Sequence, residues 1–492
     1  MDNSSYRQIF KATSLFGGVQ VFIILIQIVR SKFIAVLLGP AGMGIAGLFN
    51  STNSLVSALT NFGLERSAVR DVAANSNDTN ELSTTISVLR KLIWFTGTLG
   101  LLITLIFSTT ISQLTFGSSE YSTSFKWLSG VLFFNQLAIG YNVLLRGLRQ
   151  LKYMALSNLI GSFAGLIISI PLYYFFSTKG IVPAIIISSL TTLLIASYFS
   201  RKIDIKTKKI SIRETIIKGK PMLKMGFVLS LSTLIVIGSS YIVRIVIRNL
   251  GSIEDVGFYN AGFAIVNSYF GVFFTALTTD YYPRLAALSY DNKKANILVN
   301  QQSEMSVLVL SPVLTIFLIY INFIVILLYS NEFIPIREMI LWAALGIYFK
   351  SASWSLGVSF IAHGDAKTLF WSELVANSIS LLLNILGYYT YGLSGLGVSF
   401  MMGFIYSFLQ TFFLVKLKYS FTFSKSFVRI FLIQLFFGLS CFLIILFLTK
   451  PLSYLLGSLF ILLAIVVSFK ELDKRLNIQA IIMDKKKQFF NK

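Results

Sequence analysis

Cysteine and histidine are almost missing from this chain, with one of each, Cys441 and His363, in 492 residues. A single thiol excludes an intramolecular disulfide, and one imidazole beside it leaves no His/Cys metal cluster, so no metal or other cofactor is expected. No Walker-type Gly-Lys phosphate loop occurs, which argues against ATP hydrolysis. Charge is scarce as well. Asp, Glu, Lys and Arg make up 13% of the residues, about half the share in a soluble domain, and a soluble globular enzyme is excluded. Acids are the scarcer sign, 20 against 42 Lys and Arg, for a formal net charge of +22. In a soluble protein that excess would point to nucleic acid. Here its meaning depends on where the bases fall relative to the apolar residues.

Apolar residues are abundant: 55% of the chain, with 45 Phe and 22 Tyr and a mean hydropathy of +0.76. They are arranged in runs of about 20, the length that carries a helix across the hydrocarbon core with every backbone polar group satisfied internally. Fourteen such spans are read near 15–38, 41–63, 87–112, 121–145, 153–176, 181–200, 223–248, 256–282, 298–328, 338–362, 367–390, 392–415, 427–449 and 452–469. The first is too long for a cleavable signal peptide and has no small-residue cleavage site after it. The bases test this map. With the N-terminus cytoplasmic, 33 of the 42 fall in inside segments and only Lys179, Arg248, Arg337 and Lys450 outside. The positive-inside bias therefore predicts an all-α, multi-pass protein of the inner (cytoplasmic) membrane with both termini cytoplasmic. The same bias accounts for the net charge and removes the nucleic-acid reading.

The chain repeats itself. Leu38-Gly39-Pro40-Ala41-Gly42-Met43-Gly44 followed by Asn50 is answered by Leu250-Gly251 to Gly257 followed by Asn260. Ile28-Val29-Arg30 is answered by Ile242-Val243-Arg244, Arg66 by Arg284, and Arg146-Gly147 by His363-Gly364. Tyr173-Tyr174 is answered by Tyr388-Tyr389, and Gly180 by Gly392. The order is kept throughout, which predicts two pseudo-symmetric six-helix lobes of the same orientation, as in transporters whose halves rock about a central site. The expected domains are an N-lobe over 1–200, a basic cytoplasmic linker over 201–222, a C-lobe over 223–415, two extra helices over 416–469 and a basic tail over 470–492.

The turn Leu38–Gly44, the exit Asn61-Phe62-Gly63-Leu64-Glu65-Arg66 and the segment Leu144-Leu145-Arg146-Gly147-Leu148-Arg149 resemble the Wzx-type O-antigen flippases, in the polysaccharide transporter family of the multidrug/oligosaccharidyl-lipid/polysaccharide superfamily. The resemblance covers nearly the whole chain and implies a V-shaped bundle of two six-helix lobes around a central cavity. It implies a flippase, not an enzyme, moving an undecaprenyl-pyrophosphate-linked oligosaccharide from the cytoplasmic to the periplasmic leaflet for O-antigen or related surface polysaccharide. The bilayer, a polysaccharide polymerase and a chain-length regulator follow as expected partners. Some better-known O-antigen members have closer to twelve spans, so the two C-terminal helices are a departure.

Ionisable residues inside a membrane are costly and are functional candidates. Arg30 and Lys32 fall in span 1, Lys126 in span 4, Arg244 in span 7 and Lys350 in span 10; Lys32 and Lys126 lie near enough to span ends to snorkel. Arg30 continues a polar stripe with Gln20 and Gln27, and Arg244 one with Tyr241 and Arg248, at helical spacing. Asn50, Asn53, Ser57 and Asn61 line a face of span 2; Asn260, Asn267, Thr275 and Thr278 lie within a broad face of span 8. The expected substrate-binding set is Arg30, Arg244, Gln27, Asn50, Asn53, Tyr241, Asn260, Asn267 and Lys350. Guanidinium groups can grip pyrophosphate oxygens in bidentate fashion, and amides and hydroxyls can meet sugar hydroxyls. The plainer reading of the polar stripes is interhelical hydrogen bonding. Arg66 and Arg146 are candidates for the cytoplasmic mouth, and Glu304 and Glu373 for ion coupling. Two alternatives remain: a cation-coupled drug or small-molecule antiporter of the same superfamily, for which the acids are poorly placed, and a membrane polymerase or ligase, for which the outside loops are too short. His363-Gly364-Asp365 reads as a tight turn, and Gly39, Gly42, Gly44 and Gly47 as glycines that permit turning and close helix contact.

Overall fold

The structure, a computed structural model, describes residues 3–203 and 207–476. Residues 204–206 of the basic linker and 477–492 of the basic tail lie outside the described residues. Among the described residues the chain is helical and without strands. Ten helical stretches are long and apolar enough to cross a membrane. Three of them, Val19–Thr60, Leu151–Arg201 and Ala366–Tyr419, run to 42, 51 and 54 residues, about twice what one crossing needs. Each is broken near its middle: the first at Gly39 (φ 66°), the second by a short 3-10 turn at Ser177–Gly180, the third at Tyr391 and Gly392 (φ 56°). Counting each broken stretch as two crossings, and adding the 26-residue helix Arg337–Ala362, agrees with about fourteen spans. Arg337–Ala362 is less apolar than the others, with Lys350 and several serines along it, yet most of its middle is buried against neighbours.

Packing divides the chain into two compact units, Met1–Ala261 with Leu328–Glu332, and Gly262–Leu327 with Phe333–Lys492. The first contains α1 (Asn3–Thr60), α2 (Leu64–Ala74), α3 (Thr79–Ile106), α4 (Ser108–Phe116), α5 (Ser122–Gly147), α6 (Leu151–Phe176), α7 (Ile181–Arg201) and α8 (Ile212–Leu250), and all but the last residues of α9 (Ile253–Phe263). Within it α5 packs on α3 and α7, α6 on α1 and α7, and α8 on α1, α2 and α3. The second contains α10 (Phe270–Ala287), α11 (Asn292–Ile319), nearly all of α12 (Ile321–Leu328), α13 (Arg337–Ala362), α14 (Ala366–Tyr419), α15 (Lys425–Phe447) and α16 (Leu452–Leu476). There α13 packs on α14 and α11, and α11 also on α15 and α16.

The cores follow membrane rules. Large apolar side chains such as Phe95, Ile106, Leu194, Phe413 and Leu455 face outward, which in water would be an aggregation surface and in lipid is the ordinary solvent contact. Helix-to-helix contacts instead use small and polar residues. Gln136, 4% exposed, donates from Nε2 to Thr96 Oγ1 on α3 at 2.9 Å. Gln434, fully buried, accepts from Ser311 Oγ at 2.6 Å and donates to Ser468 Oγ at 2.8 Å, joining α15 to α11 and α16. Where side chains cap helix starts, through Asp78, Ser211, Asp291, Asp365 and Ser424, those starts lie beside the basic segments. A side-chain cap satisfies otherwise orphaned N–H groups there.

The internal repeat leaves a matched mark inside each unit. A Cβ at Gly180 would lie 2.2 Å from the Leu172 carbonyl oxygen, and one at Gly395 1.9 Å from that of Gly387. Both glycines let a helical hairpin close on the carbonyl eight residues earlier. The structural equivalent of Gly180 is thus Gly395, not Gly392, at the same offset that relates Tyr173 to Tyr388.

Candidate functional site

In the first unit the two repeated turn motifs pack on each other. A Cβ at Gly44 would fall 2.0 Å from the carbonyl oxygen of Ile253, and one at Gly257 2.0 Å from that of Pro40. One turn further on, a Cβ at Gly47 would overlap the side chain of Asn260, 1.8 Å from Nδ2. The missing side chains therefore let α9 lie directly on α1, and they fix where Asn260 sits. Asn260 donates to the Met43 carbonyl at 3.4 Å and accepts from Arg244 Nε at 2.8 Å.

Arg244 is the centre of this group. Its Nη1 donates to the Ser240 carbonyl at 2.8 Å and to the Ser240 hydroxyl. Its guanidinium carbon lies 5.3 Å from the centre of the Tyr259 ring, which is 1% exposed. Asn260, Ser240 and Tyr259 together orient the guanidinium. The rest of the span-7 stripe does something else. Tyr241 shares a hydrogen bond with Thr115 Oγ1 at 3.0 Å, which meets Thr52 Oγ1 at 3.1 Å. Arg248 donates to the carbonyls of Thr115 and Leu114 at 3.2 and 2.8 Å. Those are the last carbonyls of α4, so Tyr241 and Arg248 close that helix while Arg244 turns to Asn260.

The other expected residues scatter around this group. Arg30 is partly buried and Gln27 exposed on α1, and no hydrogen bond or ring contact among the described residues joins Arg30 to the Arg244 group. Asn50 is exposed, while Asn53 is buried and its Nδ2 finds no acceptor among the described residues. Lys32 donates to the Tyr329 carbonyl, and Lys126 is exposed at the start of α5. Arg66 is held by α8, donating to the Leu229 carbonyl at 2.8 Å and to Thr233 Oγ1 at 2.9 Å. Arg146 pairs with Glu65 at 3.1 Å.

In the second unit Lys350 donates to Asn267 Oδ1 at 3.4 Å and lies 4.9 and 5.7 Å from the ring centres of Phe404 and Phe274. Asn267 belongs to a π-helical turn, Ala264–Tyr269, that widens the helix locally; such turns recur at functional sites. Glu304, 7% exposed, accepts from Arg475 Nε at 2.9 Å and from Ser424 Oγ at 3.2 Å, tying α11 to α16. Glu373 is exposed on α14. Sequence spacing missed Ser240 and Tyr259. A signal existed for Ser240, which sits four residues before Arg244 and so beneath it on the helix.

A helical bundle that crosses a membrane many times and carries cations within its spans is the class of protein these features define: a multi-pass membrane transporter. The chain superimposes on the lipid II flippase MurJ in an inward closed conformation with a TM-score of 0.72 at 17% identity, covering 94% of this chain and 99% of that one. An inward-facing multidrug resistance MATE transporter of the MOP superfamily follows with 0.67 at 14% identity, covering 82% and 98%. In sequence, the lipid III flippase of Escherichia coli (strain K12) is 22% identical over 360 residues, 70% of this chain and 82% of that protein. A Shigella flexneri protein provisionally named an O-antigen transporter is 26% identical over 307 residues, 60% and 71%. Residues 9–289 match the polysaccharide biosynthesis protein family, and the chain belongs to it.

Proposed function

We propose that this protein is a flippase that carries an undecaprenyl-pyrophosphate-linked oligosaccharide, the repeat unit of O-antigen or a related surface polysaccharide, from the cytoplasmic to the periplasmic leaflet by alternating access. The observation that carries the reading is Arg244, a guanidinium inside a membrane-spanning helix and oriented by Asn260, Ser240 and Tyr259. Such a group is costly to keep in a bundle and suits an anionic headgroup. The named relatives, a lipid III flippase and an O-antigen transporter, support the same chemistry. The basic residues favour an inner-membrane protein with both termini cytoplasmic. The repeat favours an N-lobe over 1–200 and a C-lobe over 223–415, joined by 201–222 and extended by 416–469. A polymerase and a chain-length regulator are the partners such a product would meet.

In this reading Arg244 takes the pyrophosphate, Arg30 and Lys350 add positive charge, and Asn50, Asn53, Asn267 and Gln27 offer amides to sugar hydroxyls. Asn260 and Tyr241 act one step back, Asn260 by aiming Arg244 and Tyr241 by fixing α4 against α8. The lipid tail stays in the bilayer, and no bond is made or broken. The test is reconstitution into liposomes with a labelled undecaprenyl-pyrophosphate oligosaccharide. The sugar becomes accessible on the opposite leaflet with the native protein and not with Arg244→Ala. The MATE-like fold keeps a drug antiporter as the competing reading. Export of a cationic dye that is lost on Glu304→Gln or Glu373→Gln, with no movement of the lipid-linked sugar, would overturn the flippase.

A further inference from the structure

A second basic feature of the first unit is used neither by the Arg244 group nor by the internal packing. Helices α3, α5 and α7 leave a groove of about 260 Å³ between them. Its floor is apolar, with Ile93 and Leu144 among the lining residues, and its rim carries Arg90, Arg201, Trp94 and Tyr141. Among the described residues no Asp or Glu lines it. Gly140 helps keep it open: a Cβ there would lie 2.3 Å from Ile93 Cδ1 and would push that side chain aside.

The two arginines stand out against their own neighbours in the chain. Lys91 donates to the Ile210 carbonyl, and Lys202 lies over the rings of Tyr198, Phe199 and Tyr153 at 4.7, 5.4 and 6.0 Å. Protein groups thus engage both lysines. Arg90 and Arg201 are exposed, and among the described residues neither makes an ion pair or a side-chain hydrogen bond. Arg201 ends α7, Tyr141 lies in the last two turns of α5, and Arg90 lies on the early part of α3 with Trp94 one turn deeper. All three helices run through lipid, so the guanidiniums sit at headgroup depth of one leaflet. Trp94 and Tyr141 stand where amphipathic rings favour the interface, and the apolar floor runs toward the acyl chains.

We infer that this groove binds an anionic phospholipid of the surrounding leaflet. Arg90 and Arg201 grip its phosphate in bidentate fashion, and Ile93, Leu144 and Trp94 receive the start of its acyl chains. The volume takes a phosphoglycerol headgroup and a few methylenes and is too small for an oligosaccharide. The site is separate from the Arg244 group and rests on membrane insertion alone, so it stands or falls independently of the transported substrate.

Native mass spectrometry of the full-length protein, titrated with phosphatidylglycerol, phosphatidylethanolamine or farnesyl diphosphate, tests it. The native protein retains phosphatidylglycerol over phosphatidylethanolamine by about fivefold: the two share the phosphate, but the guanidiniums repel the ammonium of phosphatidylethanolamine by about 1 kcal/mol. Arg90→Gln with Arg201→Gln brings phosphatidylglycerol down to the phosphatidylethanolamine level. Arg90→Lys with Arg201→Lys keeps most of the preference, which separates lost charge from a damaged fold, and Arg149→Gln, an exposed arginine of the same unit, changes nothing. Equal phosphatidylglycerol binding by the native and double-Gln proteins would overturn the site. Displacement of phosphatidylglycerol by equimolar farnesyl diphosphate would overturn the phospholipid assignment in favour of an isoprenoid diphosphate. Displacement by millimolar inorganic phosphate would reduce the site to a phosphate grip without chain recognition.

Discussion

Arg244 in the first unit and Lys350 in the second each place a positive charge within a helix of an apolar bundle, and their surroundings differ in kind. Arg244 is held from several sides, by Asn260, by two groups of Ser240 and by the face of Tyr259. Asn260 is itself fixed by the bare backbone of Gly47. Among the described residues Lys350 has one long hydrogen bond, to Asn267, and two aromatic rings beside it. A planar fork with matched partners has one orientation; an ammonium over rings keeps its stem free to swing. The first arrangement suits recognition of a fixed anionic group, and the second supplies charge with little geometric demand. Both residues lie in the second repeat of the sequence, yet the cation is preorganised in one unit and loose in the other.

The sharpest way to break this contrast is to exchange the cations. Arg244→Ala removes a group able to make charge-assisted hydrogen bonds, about 1.5–3 kcal/mol each, so flipping in liposomes falls about 10- to 100-fold. Arg244→Lys keeps the charge and should fall nearly as far, because the fork that meets Asn260 and Ser240 is gone. Lys350→Arg should be tolerated. If Arg244→Lys transports normally, the distinction between a fixed and a loose cation is wrong. Gly47→Ala comes next. Its methyl group would occupy the place of the Asn260 amide, so transport falls about tenfold, the value of one charge-assisted hydrogen bond, while the protein still inserts. Pairing it with Asn260→Ala makes room again, and the double variant should transport no worse than Asn260→Ala alone.

How much of this was legible in the sequence follows from the range of each signal. Spans were legible because each needs a continuous apolar run, and the break between two of them shows as Gly39 or Gly392 even where the helix barely stops. Arg244, Asn260 and Asn267 could be singled out because polar residues in such runs are rare. Their partners could not. The glycines at 44 and 47 read as residues for turning and close helix contact, but which helix they bring against α1, α9, could not be read. That depends on a contact more than 200 positions away in the chain. Glu304 reads as an ion-coupling candidate, yet it meets Arg475, 171 residues further on. Arg66 and Arg146 read as candidates for the cytoplasmic mouth; in the structure the first is bound to α8 and the second to Glu65. Spacing places residues on a face and says nothing of what the face meets.

Lys350→Met sharpens the comparison from the other side. Methionine keeps the length and apolar stem among Phe274 and Phe404 and removes only the charge, so insertion and thermal stability hold. Transport falls by a few-fold, less than for Arg244→Ala, because a single exposed or adaptable ion contact contributes about 1 kcal/mol or less. A loss as large as that of Arg244→Ala would make the two cations equals and dissolve the contrast.

The smallest effect concerns the second unit's own anchoring, where charge is paired rather than offered. Asp365 caps α14 through the Thr368 N–H at 3.1 Å and accepts from Lys418 Nζ at 2.6 Å, so it joins the two ends of the kinked hairpin helix. Tyr419, next to Lys418, stacks on His363 with ring centres 4.0 Å apart. The hydrogen bond from Lys418, aided by those from Thr368, holds the Asp365 carboxyl down at about 2, below its usual 3.8. A depressed carboxylate contributes its stability in full above the unfolded value, near pH 4, and loses it as pH falls toward 2. Asp365→Asn keeps an amide able to cap α14 but gives up the ion pair. In detergent at pH 7 the variant should unfold with about 0.5–1 kcal/mol less stability, the range for a largely solvated pair. Between pH 5 and pH 2 the native protein should lose more stability than the variant, and their Tm values should converge. Parallel Tm curves across that interval would mean that Lys418 gives the hairpin no charge-dependent support and that the cap alone holds this end of α14.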